Sequence, residues 1–110
     1  MTLRPLQEPT FLILTSLAAG PQHGYAIMTD AEQVSGGRVR LRPGTLYAAL
    51  DRLCGDGLVE IDGEEVVDGR LRRYYRLTHA GAERLAAEAA QLRANAAVAT
   101  RRLGLAGGAA

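Results

Sequence analysis

Residues 42–53 read R-P-G-T-L-Y-A-A-L-D-R-L and predict a helix whose apolar stripe is formed by Leu46, Leu50 and Leu53. Pro43 suits the first helical position, because its missing N–H would have no intrahelical partner there and its φ is already helical. A helix with one apolar stripe buries that stripe against other elements and leaves its opposite face in solvent. The chain must therefore supply a core for this helix, and the opposite face is available to a partner.

The opposite face of this helix, and the segment that leads into it, carry small, hydroxyl and basic side chains. Small residues allow a helix to enter a DNA major groove, and the free N–H groups of a helix N-terminus attract phosphate. Hydroxyls such as that of Tyr47 can donate to the sugar-phosphate chain, although a half-buried ring packed between helices is the alternative for this residue. The candidate DNA-binding residues here are Arg38, Arg40, Arg42, Gly44, Thr45, Tyr47, Ala48 and Arg52.

The rest of the chain predicts two helices before this one, and a hairpin and a long helix after it. In chain order we expect helices over about 9–20 and 24–33, an extended segment or short strand over 38–42, the helix at 43–54, strands at 58–61 and 73–78, and a last helix to about 103. The second helix is expected to place Tyr25, Met28 and Ala31 on one face. Asp68-Gly69 is a hairpin turn signal. This order is the layout of a winged helix-turn-helix, a mainly α (α+β) fold, with a C-terminal helix appended.

The charges are unevenly distributed, although the net charge is only +1 and all thirteen basic residues are arginine. The acidic residues of the hairpin lie in its first strand and loop, at Glu60, Asp62, Glu64 and Glu65. The basic residues that follow its turn are Arg70, Arg72 and Arg73. In a winged helix these wing arginines flank the recognition helix on the DNA side, so we predict double-stranded DNA as the partner. The alternative is that Arg72 and Arg73 only solvate the hairpin.

The last helix, for which Thr78 is the predicted N-cap, carries a heptad-like seam. Its members are Leu85, Ala89, Leu92, Ala96, Ala99 and Leu103. About 25 helical residues span about 37 Å at 1.5 Å per residue, which is longer than the rest of a small domain can cover. We interpret the seam as a homodimer interface, with an intramolecular core as the alternative. The predicted division is a DNA-binding domain at 1–78, a dimerisation helix at 79–103 and a disordered tail at 104–110.

Composition argues against several other classes of protein. A hydrophobic content of 47% and a charged content of 23% are typical of a single globular domain. No apolar stretch approaches the roughly 18 residues of a membrane span, and a single cysteine forms no internal disulfide, so we expect a cytoplasmic protein. Cys54 is interpreted as a small buried hydrophobe rather than a redox switch. His23 and His79 complete no metal-ligand set, and no catalytic grouping is present, so we expect no metal, no cofactor and no enzyme.

Six stretches make the chain resemble the PadR family of bacterial transcriptional regulators. They are H-G-Y at 23–25, S-G-G at 35–37, P-G-T-L-Y at 43–47, L-D-R-L at 50–53, D-G-L-V-E at 56–60 and R-R-Y-Y-R-L-T-H-A-G at 72–81. The resemblance covers about residues 8–100 and favours the short branch, whose C-terminal part is one dimerising helix. The chain departs from the family pattern at three places. Arg42 stands where the family often has serine, Ala48 stands where it commonly has proline, and at the wing tip Leu71 lies between arginines.

The resemblance implies a sequence-specific transcriptional regulator that acts as a homodimeric repressor. Its recognition helix would enter the major groove, and its wing would lie beside the adjacent groove. Two-fold symmetry implies a palindromic operator with half-sites about 10 bp apart, or a multiple of that distance. The resemblance also implies a small-molecule effector, phenolic or drug-like, that relieves repression. The alternative function is a winged-helix protein-interaction module without DNA binding, for which an acidic or apolar exposed helix face is expected.

Overall fold

A computed structural model describes residues 4–105. Its helices are α1 (Glu8–Ala18), α2 (Gly24–Val34), α3 (Pro43–Gly55) and α4 (His79–Arg102), and its strands are β1 (Gln22–His23), β2 (Val59–Val67) and β3 (Arg70–Leu77). The strands form one antiparallel sheet in the order β1-β3-β2. This architecture confirms the predicted mainly α (α+β) winged helix-turn-helix fold with a long C-terminal helix. The predicted disordered tail lies outside the described residues from residue 106 onward.

The core lies where the first three helices meet the sheet. It consists of Ile13, Leu14, Leu17, Ile27, Leu46, Ala49, Leu50, Leu53, Val59 and Tyr75. The predicted stripe of α3 is wholly in this core, with Leu46 and Leu50 at 0% exposure. Burial of each such leucine contributes about 1.5–3 kcal/mol, which holds α3 firmly in place with its other face outward.

The hairpin of β2 and β3 is longer than the sequence pattern predicts. Its strands pair from Val59 opposite Leu77 to Val67 opposite Arg70, with a bulge between Ile61 and Gly63. The predicted strands covered only the base of this hairpin, because the outer part is exposed and has no clear alternation of apolar and polar residues. The hairpin forms the wing of the fold.

The third strand lies before α2 and not in the segment that leads into α3. Residues 38–42 form no strand, whereas Gln22 and His23 pair with Tyr75 and Tyr74 of β3. A strand of two residues carries no periodicity, so no sequence pattern indicates it. This short strand ties the start of α2 to the wing.

The junction between the wing and α4 depends on a close backbone approach at Gly81. Thr78 is the N-cap of α4, as predicted: its hydroxyl accepts from the Gly81 N–H at 3.0 Å, and its own N–H donates to the Leu58 carbonyl at 3.1 Å. A Cβ on Gly81 would lie 2.0 Å from that Leu58 oxygen. Only glycine therefore allows the first turn of α4 to sit against the base of the hairpin.

Candidate nucleic-acid interface

The outward face of α3 carries small side chains in its first turns and charged ones after them. Gly44, Thr45, Ala48, Asp51 and Arg52 are all exposed, as the helical projection predicts. The helix begins at Pro43 behind Arg42, whose side chain makes no capping hydrogen bond. Its first N–H groups and the positive end of its dipole therefore face solvent, where an anion can bind.

Tyr47 packs against α2 and is still partly exposed. Its ring lies over the backbone of Gly24, where a Cβ would be 2.3 Å from the phenol oxygen. The side chain nevertheless remains 44% exposed. Tyr47 is therefore a half-exposed residue whose hydroxyl end contacts the start of the neighbouring helix. The need for glycine at position 24 was not deduced from the sequence, since nothing local at this residue requires it.

The arginines that lead into α3 differ in their partners. Arg38 makes a bidentate ion pair with Glu8 of α1, and this hydrogen bonding lowers the pKa of the Glu8 carboxyl. Arg40 Nε lies 3.9 Å from the Glu32 carboxylate of α2. Arg42 is exposed and has no ion-pair partner among residues 4–105. Among the three arginines that lead into α3, Arg42 is therefore the one that can bind a phosphate without first leaving a carboxylate.

Arg52 lies at the other end of α3, on the flank that faces α1. Its guanidinium Nη2 donates to the Thr10 hydroxyl at 3.3 Å. The side chain is exposed, so this hydrogen bond leaves further N–H groups of the guanidinium accessible.

The wing contains acidic and basic residues in opposed pairs. Arg73 Nε donates to Glu64 at 2.7 Å, which raises the pKa of Arg73, and Arg76 pairs with Glu60 and, at 3.5 Å, with Asp62. Glu64 and Glu60 lie directly opposite their arginines in the β2–β3 register, and Asp62 lies at the bulge. The acidic residues of β2 therefore neutralise part of β3.

Two wing arginines escape this neutralisation. Within residues 4–105, neither Arg70 nor Arg72 lies at ion-pair distance from a carboxylate. Both line a concave surface together with Tyr47 of α3. The structure thus brings the wing and the recognition helix to one side of the molecule, with Arg70 and Arg72 free there.

Tyr25 belongs to this surface, because it lines the same concavity as Arg70 and Arg72. Tyr25 is 72% exposed, whereas Ile27 and Ala31 of the same helix are buried in the core. Tyr25 is not among the DNA-binding residues predicted from the sequence, and its place in the H-G-Y stretch at 23–25 was the signal available.

The predicted dimer seam of α4 divides into two parts. Leu85 packs against the core of its own chain and Ala89 is half-buried. The exposed part of the seam consists of Leu92, Ala96, Ala99 and Leu103, with Leu92 47% and Leu103 73% exposed. None of the helices described between residues 4 and 105 is both long enough and apolar enough to cross a membrane.

Cys54 and the two histidines form no metal centre with neighbouring residues in the part of the chain that the structure describes. Cys54 is half-buried beside the core, and burial raises the pKa of its thiol. A raised pKa disfavours the reactive thiolate, which agrees with a packing role. His79 is exposed and lies 3.6 Å from Glu83 one turn later.

His23 is expected to make stability depend on pH. Burial, and then the charge of Arg72, lower its pKa below the usual 6.5, while Glu65 acts in the opposite direction. Its neutral Nδ1 also accepts from the Ala26 N–H at 3.4 Å, capping α2. As the pH falls, the His23 side chain of the unfolded state is therefore protonated before that of the folded state. The contribution of His23 to the free energy of unfolding is complete above about pH 6.5 and is lost as the pH falls through the pKa of the folded state.

Urea unfolding at pH 7.5 and pH 5.5 measures this loss. The matched control is His23→Asn, because asparagine caps helices well but does not titrate. We expect wild type to lose more of its free energy of unfolding between the two pH values than His23→Asn does. Equal losses would show that His23 is not the group responsible.

Sequence comparison relates this geometry to known proteins. The profile of the transcriptional regulator PadR-like family matches residues 13–87, which contain α2, α3, the wing and parts of α1 and α4. The chain belongs to the PadR family. As predicted, this is a family of transcriptional regulators and not of enzymes.

Two curated relatives show the same resemblance over part of their length. One is a 37.1 kDa protein in transposon TN4556 of Streptomyces fradiae, 51% identical over 82 residues that are 74% of this chain and 22% of the relative. The other is Transcriptional regulator Rv3488 of Mycobacterium tuberculosis, 44% identical over 69 residues, or 63% of this chain and 61% of the relative. The chain therefore spans less than two thirds of either relative.

Solved structures of PadR proteins have the same fold. A PadR family transcription regulator from hypervirulent Clostridium difficile superposes with a TM-score of 0.71 at 28% identity, over 88% of this chain and 99% of that one. Bacillus subtilis PadR in complex with operator DNA superposes with a TM-score of 0.63 at 21% identity, over 72% of this chain and 46% of that one. At 21% identity, the similarity to Bacillus subtilis PadR shows a shared fold.

Proposed function

We propose that this PadR-family regulator binds double-stranded operator DNA, with α3 in the major groove and the wing beside the adjacent groove. The observation that carries the proposal is the outward face of α3, where small residues and a free helix N-terminus lie on the same side as Arg42, Arg70 and Arg72. A solved protein of the same fold, Bacillus subtilis PadR, is seen in complex with operator DNA. An interaction module without DNA binding is disfavoured, because the exposed face is neither predominantly acidic nor apolar.

The ion-paired arginines of this surface also fit the proposal. Arg38 and Arg73 are held by exposed carboxylates, with both partners of each pair 41–65% exposed. Exposed pairs of this kind contribute only about 0–1 kcal/mol, so a DNA phosphate can take the place of the carboxylate at little cost. Arg42, Arg70 and Arg72 need no such exchange and would make the first contacts.

The α4 helix supports a homodimer as the binding form. It has 24 residues in a molecule whose extents are 57 × 33 × 21 Å, so it reaches well beyond the core. The exposed part of its seam is continuous with an apolar groove formed by Leu6, Phe11, Leu12 and Val34 with Leu92. A second copy packed on the exposed part of the seam would bury it and pair two recognition helices for a palindromic operator. Residues 79–103 would then act as the dimerisation helix of a DNA-binding domain at 1–78.

Repression and its release by an effector complete the proposal. A dimer seated on an operator would block transcription from the neighbouring promoter, and it would act in the cytoplasm. The apolar groove has a volume of about 260 Å³ and is lined by residues of α1, α2 and α4. A phenolic or drug-like molecule bound there would change the angle between α4 and the DNA-binding helices, and with it the spacing of the two wings.

DNA binding is tested by fluorescence anisotropy with DNA from upstream of the protein's own gene, across a salt series. We expect saturable sub-micromolar binding, with log K falling in proportion to log salt by about 0.9 for each phosphate contacted. A protein that binds neither this fragment nor a mixed-sequence duplex at low salt would contradict the proposal.

The dimer is tested by replacing seam residues. Leu92→Glu and Leu103→Glu place charges on the proposed interface, so we expect each variant to sediment as a monomer at concentrations where wild type is a dimer. Both side chains are largely exposed within the single chain, so the fold should be retained. Arg93→Glu, beside the seam but outside it, is the control. A wild type that is monomeric at all concentrations would overturn the dimer.

A further inference from the structure

The first turns of α4 contain the most deeply buried ion pair of the described chain. Arg84 Nη1 lies 3.1 Å from the Glu88 carboxylate, with the two side chains 16% and 9% exposed. The other ion pairs among residues 4–105 have side chains that are 37–90% exposed. Arg84 Nη2 also donates to the carbonyl of Arg4, in the segment that leads into α1. Arg84, Glu88 and the Arg4 carbonyl are called the Arg84 clamp below.

We propose that the Arg84 clamp fixes the angle between α4 and the DNA-binding domain, and thereby the distance between the two recognition helices of the dimer. Arg84 is then a positioning residue that selects the spacing of the operator half-sites. The inference deepens the proposed function and rests on the dimer that it includes.

The clamp is the last buried contact along α4. The inward positions of this helix are Gly81 and Glu88, which are buried, and Leu85, which packs on the core. Residues 90–97 are all exposed. From Glu88 to its last residue, Arg102, the helix runs on for about 21 Å at about 1.5 Å per residue. The angle at which α4 leaves the domain is therefore set at its first turns.

The length beyond the clamp makes small changes of this angle important. A tilt of about 10° at Glu88 moves the end of an arm of about 21 Å by about 4 Å. In a dimer joined through the exposed part of the seam, the same tilt displaces the two DNA-binding domains relative to each other. Half-sites about 10 bp apart are about 34 Å apart, so one base pair corresponds to about 3.4 Å. A tilt of this size therefore changes the matching half-site spacing by about one base pair.

The chemistry of the pair suits orientation better than adhesion. Apolar side chains of similar volume would hold α4 as strongly, because the desolvation of two buried charges offsets most of their attraction. Apolar contacts let packed helices slide and tilt, whereas a guanidinium donates in fixed directions. Arg84 donates through Nη1 to Glu88 and through Nη2 to the backbone of Arg4, so the helix is joined to the start of α1 in one orientation.

The test variant replaces both charged residues by apolar ones, Arg84→Met together with Glu88→Leu. The buried space stays filled and no charge is left unpaired, so circular dichroism and urea unfolding should show a retained fold. Double electron–electron resonance then measures the distance between spin labels on the two α3 helices, attached at Ala48→Cys in a Cys54→Ala background. We expect one narrow distance with the intact clamp, and a distribution shifted or broadened by about 4 Å in the double variant.

Selection from a library of random duplexes measures the consequence for DNA. The wild-type chain should recover palindromes with one half-site spacing, whereas the double variant should recover several spacings that differ by about one base pair. A residue that only stabilised the fold would not change this spacing.

Two further variants should match wild type in both measurements. Glu88→Gln is the conservative variant, because its amide oxygen can still accept from Arg84, and Arg93→Met removes an exposed charge from the same helix. A folded double variant with the wild-type distance and spacing would overturn the clamp inference and leave the proposed function standing. Loss of folded structure in the double variant would also overturn it, because the pair would then serve stability. Absence of dipolar coupling in wild type would overturn the dimer, and the inference with it.

Discussion

Replacing Ala48 by glutamate is expected to weaken DNA binding at least a hundredfold. Ala48 lies on the outward face of α3, where the proposed complex brings this helix into the major groove. Glutamate would be too long for close approach and would place a negative charge among phosphates. At an effective dielectric constant of 20, two like charges 4 Å apart repel by about 4 kcal/mol, which corresponds to about a thousandfold in affinity.

Two further variants make the Ala48→Glu result specific. Ala48→Gln has the same size without the charge, so it should lie between wild type and Ala48→Glu in affinity. Ala94→Glu adds the same charge at an exposed position of α4 and should leave binding nearly unchanged. The free energy of unfolding of all three should remain within about 0.5 kcal/mol of wild type, because the sites are exposed. Wild-type affinity for Ala48→Glu would show that α3 does not enter the groove.

Replacing Gly81 by alanine is expected to lower the free energy of unfolding by about 2–4 kcal/mol. The new Cβ would lie 2.0 Å from the Leu58 oxygen and 2.9 Å from the Leu58 carbonyl carbon, which are backbone atoms at the base of the wing. A backbone carbonyl cannot rotate away as a side chain does, so α4 must shift and its Thr78 cap must loosen. Urea unfolding followed by circular dichroism measures the loss.

Gly55→Ala is the matched control for this prediction. Gly55 is the last residue of α3, and nothing lies within 4 Å of a Cβ built there. Alanine should stabilise the protein by about 0.4–1 kcal/mol, because it restricts the unfolded chain without strain in the folded one. If Gly81→Ala were equally harmless, the contact between α4 and the base of the wing would not be required for stability.

Much of the fold was predictable from residues close together in the chain. The stripe of α3, the cap at Thr78 and the turn at Asp68-Gly69 all appear where the sequence places them. The turn residues have φ values of 53° and 76°, the left-handed conformations that an Asp-Gly pair adopts in a two-residue hairpin. Each of these signals depends on a few neighbouring residues and on general steric preferences.

The candidate site was less fully predictable. Its position on α3 and the wing follows from the order of the elements. Whether each arginine is paired with a carboxylate does not follow from that order. Arg38 pairs with Glu8, thirty positions away, and Arg73 with Glu64 across the hairpin. The sequence groups Tyr25 with Met28 and Ala31 on one face, but spacing alone does not show which side of a short helix meets the core.

The sequence alone therefore determined the four helices and the position of the hairpin, their order, the buried stripe of α3 and the family to which the chain is similar. The tertiary structure decided which arginines stay free, that Tyr47 rests on Gly24 and that Tyr25 faces the wing. The physical reason is the range of the interactions. Helix periodicity, caps and turns act over a few residues, whereas ion pairs and close backbone contacts join groups that only the folded chain brings together.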